Sequence, residues 1–119
     1  QFKAGELLAP RKTFIQNFKK AGLKLPIIHK GWFADFSPND VPEDIIFAFF
    51  DGDFYESIAD SFCVCDGKFH KKATIVVDDY ANEALPGAAR AVDEWLTNYR
   101  QFTIRTEASL AIISSCPKT

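Results

Sequence analysis

Two short acidic runs carry the strongest chemical signal in this sequence, Asp51-Gly52-Asp53 and Asp78-Asp79-Tyr80. Each directly follows a continuous apolar stretch, IIFAFF at 45–50 and ATIVV at 73–77. Stretches of that kind read as strands buried on both faces. In open α/β sheets ligands bind beyond the carboxyl ends of the strands, so if the two strands are parallel neighbours, both acidic runs reach one rim. Three or four carboxylates converging there repel one another unless they are protonated or bridged by a cation. A hard divalent ion with oxygen ligands, Mg²⁺ above all, relieves that repulsion. Gly52 lets the backbone turn tightly straight after the first strand. The plainer alternative is that each Asp caps a helix or sits in a solvated loop. One lone Asp is read that way; two runs placed like this leave both readings open.

The elements that must position these residues are legible from periodicity and punctuation. Apolar residues at helical spacing predict a helix over residues 11–21, stopped by Gly22. Residues 25–29 form a short apolar run consistent with a strand. A turn-rich segment at 39–43, with Pro38 and Pro42 nearby, precedes the 45–50 strand. Helical spacing returns over 55–65 through Ile58, Phe62 and Cys65, with Gly67 as the stop. After the 73–77 strand, Pro86 opens a helix over 86–99 with Ala88, Ala91, Val92, Trp95 and Leu96 on one side. Residues 102–105 and 110–113 read as an antiparallel pair joined around 106–109. Strands alternating with helices predict an α/β sheet covered on both faces and closed by an antiparallel hairpin. Without an internal repeat, a low-complexity tract or a shift in composition, residues 1–119 are read as a single α/β domain.

Composition narrows the function classes. The chain has 119 residues, 47% hydrophobic and 25% charged, which is the balance of a folded domain rather than a disordered one. Twelve Phe predict an aromatic-rich core, and the absence of Met points to a processed or trimmed chain. A formal charge of −2 gives no general field for nucleic acid, and the basic run at 11–24 reads as a solvated helix face. No apolar run is long enough for a membrane span, and no signal peptide is recognisable. The cysteines, Cys63, Cys65 and Cys116, are odd in number and lack a secreted-type framework. On a helix Cys63 and Cys65 point roughly 200° apart, so one metal ion could not easily use both. A reduced, cytoplasmic compartment is the expectation. His29 and His70 have no third partner nearby in the sequence and are assigned structural or solvent roles. There is no Ser–His–Asp order, phosphate-cradling loop or zinc-type spacing.

The order of segments then resembles a known family. Gly31-Trp32-Phe33-Ala34-Asp35, Asp51-Gly52-Asp53-Phe54-Tyr55-Glu56-Ser57, Val76-Val77-Asp78-Asp79-Tyr80, Pro86-Gly87 and Ala91-Val92-Asp93 look like the GWF-x-D, DGDxYES, VDDY and PG-xxx-AVD segments of the macrocin O-methyltransferases. Asn17-Phe18 and Gly22-Leu23 resemble the helix before GWF. The likeness covers roughly residues 14–114. It implies S-adenosylmethionine and a divalent metal, usually Mg²⁺, and methylation of hydroxyls, typically on sugars of natural products. By the same likeness Asp51, Asp78 and Asp79 are the metal ligands, and Asp51 accepts the hydroxyl proton. Asp53 is a weaker candidate for base or support. Phe33 and Ala34 match positions beside the adenine, and Gly52 lies near that pocket. Tyr55 and Tyr80 order loops or simply pack.

The departure from the family pattern is equally specific. Such enzymes begin with a strand, a glycine-rich turn and a second strand ending in an acidic residue. Here nothing before residue 25 reads as a strand and no glycine-rich turn occurs. The expected fold is therefore a partial Rossmann-like methyltransferase sheet, mostly parallel with an antiparallel C-terminal hairpin, lacking the first two strands and leaving the GWF strand without its usual neighbour. An exposed apolar strand edge invites pairing, which predicts a homodimer or an N-terminal half on another chain. Two functions follow. One is an O-methyltransferase, dependent on S-adenosylmethionine and Mg²⁺, for a small-molecule hydroxyl acceptor. The other is a non-catalytic α/β interaction module derived from such an enzyme. A divalent-metal phosphotransfer enzyme is the weakest option, because no phosphate-cradling loop is present.

Overall fold

The computed structural model describes residues 10–115. The described residues fall into two compact units, 10–30 and 31–115.

In the first unit, helix α1 spans Arg11–Lys20. Gly22, at φ +68°, supplies the left-handed residue that ends it, and the Leu23 N–H donates back to the Phe18 carbonyl at 3.1 Å. The rings of Phe14 and Phe18, one turn apart, meet at a tilt of 40° with centroids 4.8 Å apart. Lys19 and Lys20 sit in the last turn, where the helix dipole favours cations, and no α1 side chain is buried. Residues 25–29, expected as a strand, have no regular structure. Pro26 lacks the N–H a ladder needs, and no described strand of this unit offers a partner.

The second unit holds the sheet. The GWF segment is not a strand either: Phe33–Asp35 is a 3₁₀ turn, closed by Asp35 N–H to Trp32 and Phe36 N–H to Phe33. A second such turn, Pro38–Asp40, is fixed by a capping box in which Ser37 and Asp40 exchange bonds. Then follow β1 (Ile45–Phe50), α2 (Tyr55–Val64), β2 (Phe69–Val77), α3 (Pro86–Asn98), β3 (Phe102–Glu107) and β4 (Leu110–Ser115). The boundaries fall close to those read from the sequence, except that β2 begins four residues earlier than expected. The sheet order is β1-β2-β4-β3. It is mixed, with β1 and β2 parallel and the β2–β4 and β4–β3 pairs antiparallel.

One face of the sheet makes the core. Phe50, Ala73, Ile75, Val77, Ala111, Ile113 and Phe102 pack with Ile58 and Phe62 of α2 and Ala88, Ala91 and Val92 of α3. The aromatic cluster expected from the Phe count gathers around Trp95, which is half-buried and packs against the core. It lies between Phe62 and Tyr99 with centroids 4.5 and 4.4 Å away, Phe69 meets it edge-on, and Phe102 lies tilted against it. The expectation that IIFAFF is buried on both faces does not hold: Ile46, Phe47 and Phe49 are 68%, 60% and 50% exposed. β1 is an edge strand among the described residues, and α2 and α3 share a single face. The run is apolar enough for two-sided burial, but burial needs a covering element, and within residues 31–115 none lies over Phe47 and Phe49.

Candidate metal and cofactor site

Parallel pairing of β1 with β2 brings the two acidic runs together. Phe50 pairs with Val77, and the Asp78 N–H extends the ladder by donating to the Phe50 carbonyl at 2.9 Å. Asp51 and Asp78 therefore leave the sheet side by side at its carboxyl rim. Side-chain oxygens of Asp51, Asp78 and Asp79 all lie within 4.8 Å of one another. Asp51 is exposed, whereas Asp78 and Asp79 are half-buried.

Local geometry holds the second run. Asp79 adopts φ +60°, a left-handed conformation that Asp tolerates better than most residues. Its N–H donates to Asp78 Oδ1 at 2.9 Å, and its Oδ1 accepts from Asn82 Nδ2 at 3.1 Å. Tyr80 reaches across to α3 and donates its hydroxyl to Asp93 at 2.8 Å. Tyr55 donates to Glu94 of the same helix at 2.5 Å, with the Arg90 guanidinium 3.9 Å above its ring. The two tyrosines thus tie the loops after β1 and β2 to one helix, so they order the rim as well as pack. Asn82 had no role in the sequence reading. The signal available was its position three residues beyond Asp79, in a polar turn where Asn side chains bond nearby backbone.

The electrostatics are those of crowded like charges. Loss of hydration around the carboxyl at this crowded rim, although Asp51 as a residue is exposed, then a shared hydrogen bond with Asp78 and repulsion from Asp78, Asp53 and Asp79, push the Asp51 carboxyl above the usual carboxylate range. Partial burial, then a shared hydrogen bond with Asp79 and the charges of Asp79 and Asp78, raise Asp53. For a carboxyl raised on folding, the native state holds the proton more tightly than the unfolded chain does. Its contribution to stability is therefore greatest at and below the ordinary value of 3.8. That contribution declines as pH rises through the raised value, leaving a deficit at neutral pH. Asp51→Asn removes the deficit. In metal-free buffer the stability difference between variant and parent should grow in favour of the variant from pH 4 to pH 7, as read by urea denaturation. A difference independent of pH would mean that Asp51 does not feel its neighbours.

The residues matched to the cofactor lie close by. Phe33 and Ala34 line an open cleft of about 470 Å³ with Trp32, Asp35, Phe54, Glu56, Ser57 and Asp60. Trp32 is 79% exposed and offers a free aromatic face. Gly52 abuts the same wall: a Cβ there would come 2.5 Å from Ser57 Cβ, so only glycine allows this approach of the loop to α2. The structure thus brings Asp51, Asp78 and Asp79 together in one group, and Phe33 and Ala34 in another, with Gly52 against Ser57 of the cleft.

The donor set suits a hard cation. All three groups are carboxylates, and Mg²⁺ takes oxygen ligands at about 2.0–2.1 Å, which places octahedral neighbours about 2.9 Å apart and opposite ligands about 4.2 Å apart. The three carboxylates, within 4.8 Å of one another, supply the hard oxygen donors such an ion takes, and three ligands leave positions for water or substrate oxygens.

An α/β sheet with an acidic rim beyond its parallel pair is the architecture in which the comparisons with known proteins place this chain. The profile of the family described as Macrocin-O-methyltransferase (TylF) matches residues 1–107. The chain belongs to that O-methyltransferase family. Among solved structures, "Structure of the O-methyltransferase NovP" superposes with a TM-score of 0.81 at 23% identity, over 94% of this chain and 47% of that one. That likeness establishes the fold, and the chain spans about half the length of the solved relative. No curated protein matches the chain. Among the described residues no helix is long and apolar enough to cross a membrane.

Proposed function

We propose that this chain carries the metal and acceptor side of an O-methyltransferase that uses S-adenosylmethionine and Mg²⁺ to methylate a hydroxyl of a small molecule, a sugar above all. The observation that supports it is the meeting of Asp51, Asp78 and Asp79 within 4.8 Å at the rim, in a chain of this family. Bound at the three aspartates, Mg²⁺ would act as Lewis acid and template, orienting substrate oxygens and lowering the hydroxyl pKa. Asp51, the exposed member, takes the hydroxyl proton on a carboxylate oxygen as the acceptor oxygen attacks the methyl carbon. Bound S-adenosylmethionine would supply the methyl group, its C–S bond breaking as the new C–O bond forms and the sulfonium leaving as a neutral thioether. Asp53, whose proton affinity is also raised, supports this centre. Phe33 and Ala34 are assigned to the adenine, with Gly52 keeping the loop close to the same wall.

A second reading has its own support. Strand β1, uncharged and with Ile46, Phe47 and Phe49 exposed, leaves one edge unpaired among the described residues, and such edges template pairing. In that reading the chain is a non-catalytic interaction module, and two copies pair along β1 as a homodimer.

Calorimetric titration with S-adenosylmethionine, with and without MgCl₂, separates the two when light scattering is run on the same sample. Binding near micromolar strength, about −8 kcal/mol, supports the enzyme. No heat at millimolar cofactor, together with a dimer's mass, supports the module.

A further inference from the structure

We infer that Asn82 is a positioning residue of the acidic rim, whose carboxamide fixes the oxygen that Asp79 offers to a divalent cation. The inference rests on the metal reading above and adds to it a residue outside the three ligands.

Three hydrogen bonds carry it. Asn82 Nδ2 donates to Asp79 Oδ1 at 3.1 Å. Asn82 Oδ1 accepts from the Ala84 N–H at 2.9 Å. A backbone N–H can only donate, so the amide oxygen must face Ala84 and the NH₂ must face Asp79. The Asn82 backbone N–H also donates to the Asp79 carbonyl at 3.3 Å, closing the turn on which both side chains stand. Asn82 is half-buried, so its carboxamide is held rather than free to swing.

The consequence is a division of oxygens. Asp78 has Oδ1 engaged by the Asp79 N–H, and Asp79 has Oδ1 engaged by Asn82. Each aspartate is left with one oxygen free of these donors, and each is fixed in rotation by the donor on the other. Partners that orient a metal ligand in this way commonly contribute about 10–100-fold in metal affinity.

Two variants test the role. Asn82→Ser retains an oxygen that can accept from the Ala84 N–H but is too short to reach Asp79. Asn82→Ala loses both bonds. Titration with MgCl₂ should show both variants weakened by roughly tenfold or more, while the metal-free thermal midpoint of Asn82→Ser stays within about 2 °C of the parent. If Asn82→Ser binds MgCl₂ as the parent does, Asn82 serves the turn alone and the inference is overturned. Losses of affinity that merely follow losses of metal-free stability overturn it as well. Asp79→Asn is the control. A parent that binds MgCl₂, with Asp79→Asn deficient and Asn82→Ser intact, removes only the role of Asn82. A parent that does not bind MgCl₂ removes the metal reading and this role together.

Discussion

Asp79→Asn should make the metal-free chain more stable and deprive it of its response to magnesium. Asn is the best replacement for this position. It tolerates the left-handed φ of +60°, and its side-chain oxygen can still accept from Asn82 Nδ2. The substitution therefore removes a charge and little else. In metal-free buffer Asp79 sits against Asp51, Asp78 and Asp53, and among the described residues no ion pair falls on any of them, so relief of repulsion should raise the thermal midpoint by a few degrees, corresponding to roughly 1 kcal/mol. Ligand linkage then works the other way. At MgCl₂ ten times its dissociation constant the parent gains about 1.4 kcal/mol, and the variant, with a ligand charge gone, should gain almost nothing. Differential scanning fluorimetry with and without MgCl₂ reads both effects. A variant less stable than the parent in chelator, with an undiminished magnesium shift, would sink the assignment of these aspartates.

A second large effect concerns the helix that anchors the rim. Gly87 is the second residue of α3, and a Cβ built there would lie 2.6 Å from the Tyr55 backbone nitrogen and 3.0 Å from Tyr55 Cβ. Backbone cannot swing aside as a flexible side chain can. Gly87→Ala must push α3 away from the start of α2, with an overpacking cost of about 2–3 kcal/mol, or roughly 10 °C in thermal midpoint. In an open helical position the same change would stabilise by up to about 1 kcal/mol, so the sign of the effect tests the contact. The shift would also disturb the Tyr55–Glu94 and Tyr80–Asp93 bonds that tether the two loops to α3. Any magnesium response should therefore weaken along with stability.

These two residues differ in how visible they were beforehand. The Asp78-Asp79 pair stands at the end of a β-branched apolar run, and Asp51 stands at the end of another. Because strand period and strand end are local properties, the acidic rim could be anticipated from composition along the chain. Pro86-Gly87 read as a helix start for the same local reason. That Gly87 serves as the floor under Tyr55 was invisible, because Tyr55 lies on a different helix. Asn82 is intermediate: its turn is local, but its bond to Asp79 is meaningful only where Asp79 meets Asp51 from another strand.

The sequence by itself determined the helices at 11–20, 55–64 and 86–98, the β1 and β2 strands, the closing hairpin and the O-methyltransferase kinship carried by the DGDxYES and VDDY segments. Each of these is set by spacing, capping or a contiguous motif within a few residues. The tertiary structure decided what depends on neighbours far along the chain. Residues 25–29 and the GWF segment are apolar enough for strands, yet among the described residues neither pairs with a strand, and an unpaired strand cannot satisfy its backbone. IIFAFF has the composition of a doubly buried strand, yet Phe47 and Phe49 stay exposed because α2 and α3 lie on one face only. An apolar run states how much surface is to be hidden, and only the arrangement of the other elements decides whether anything hides it.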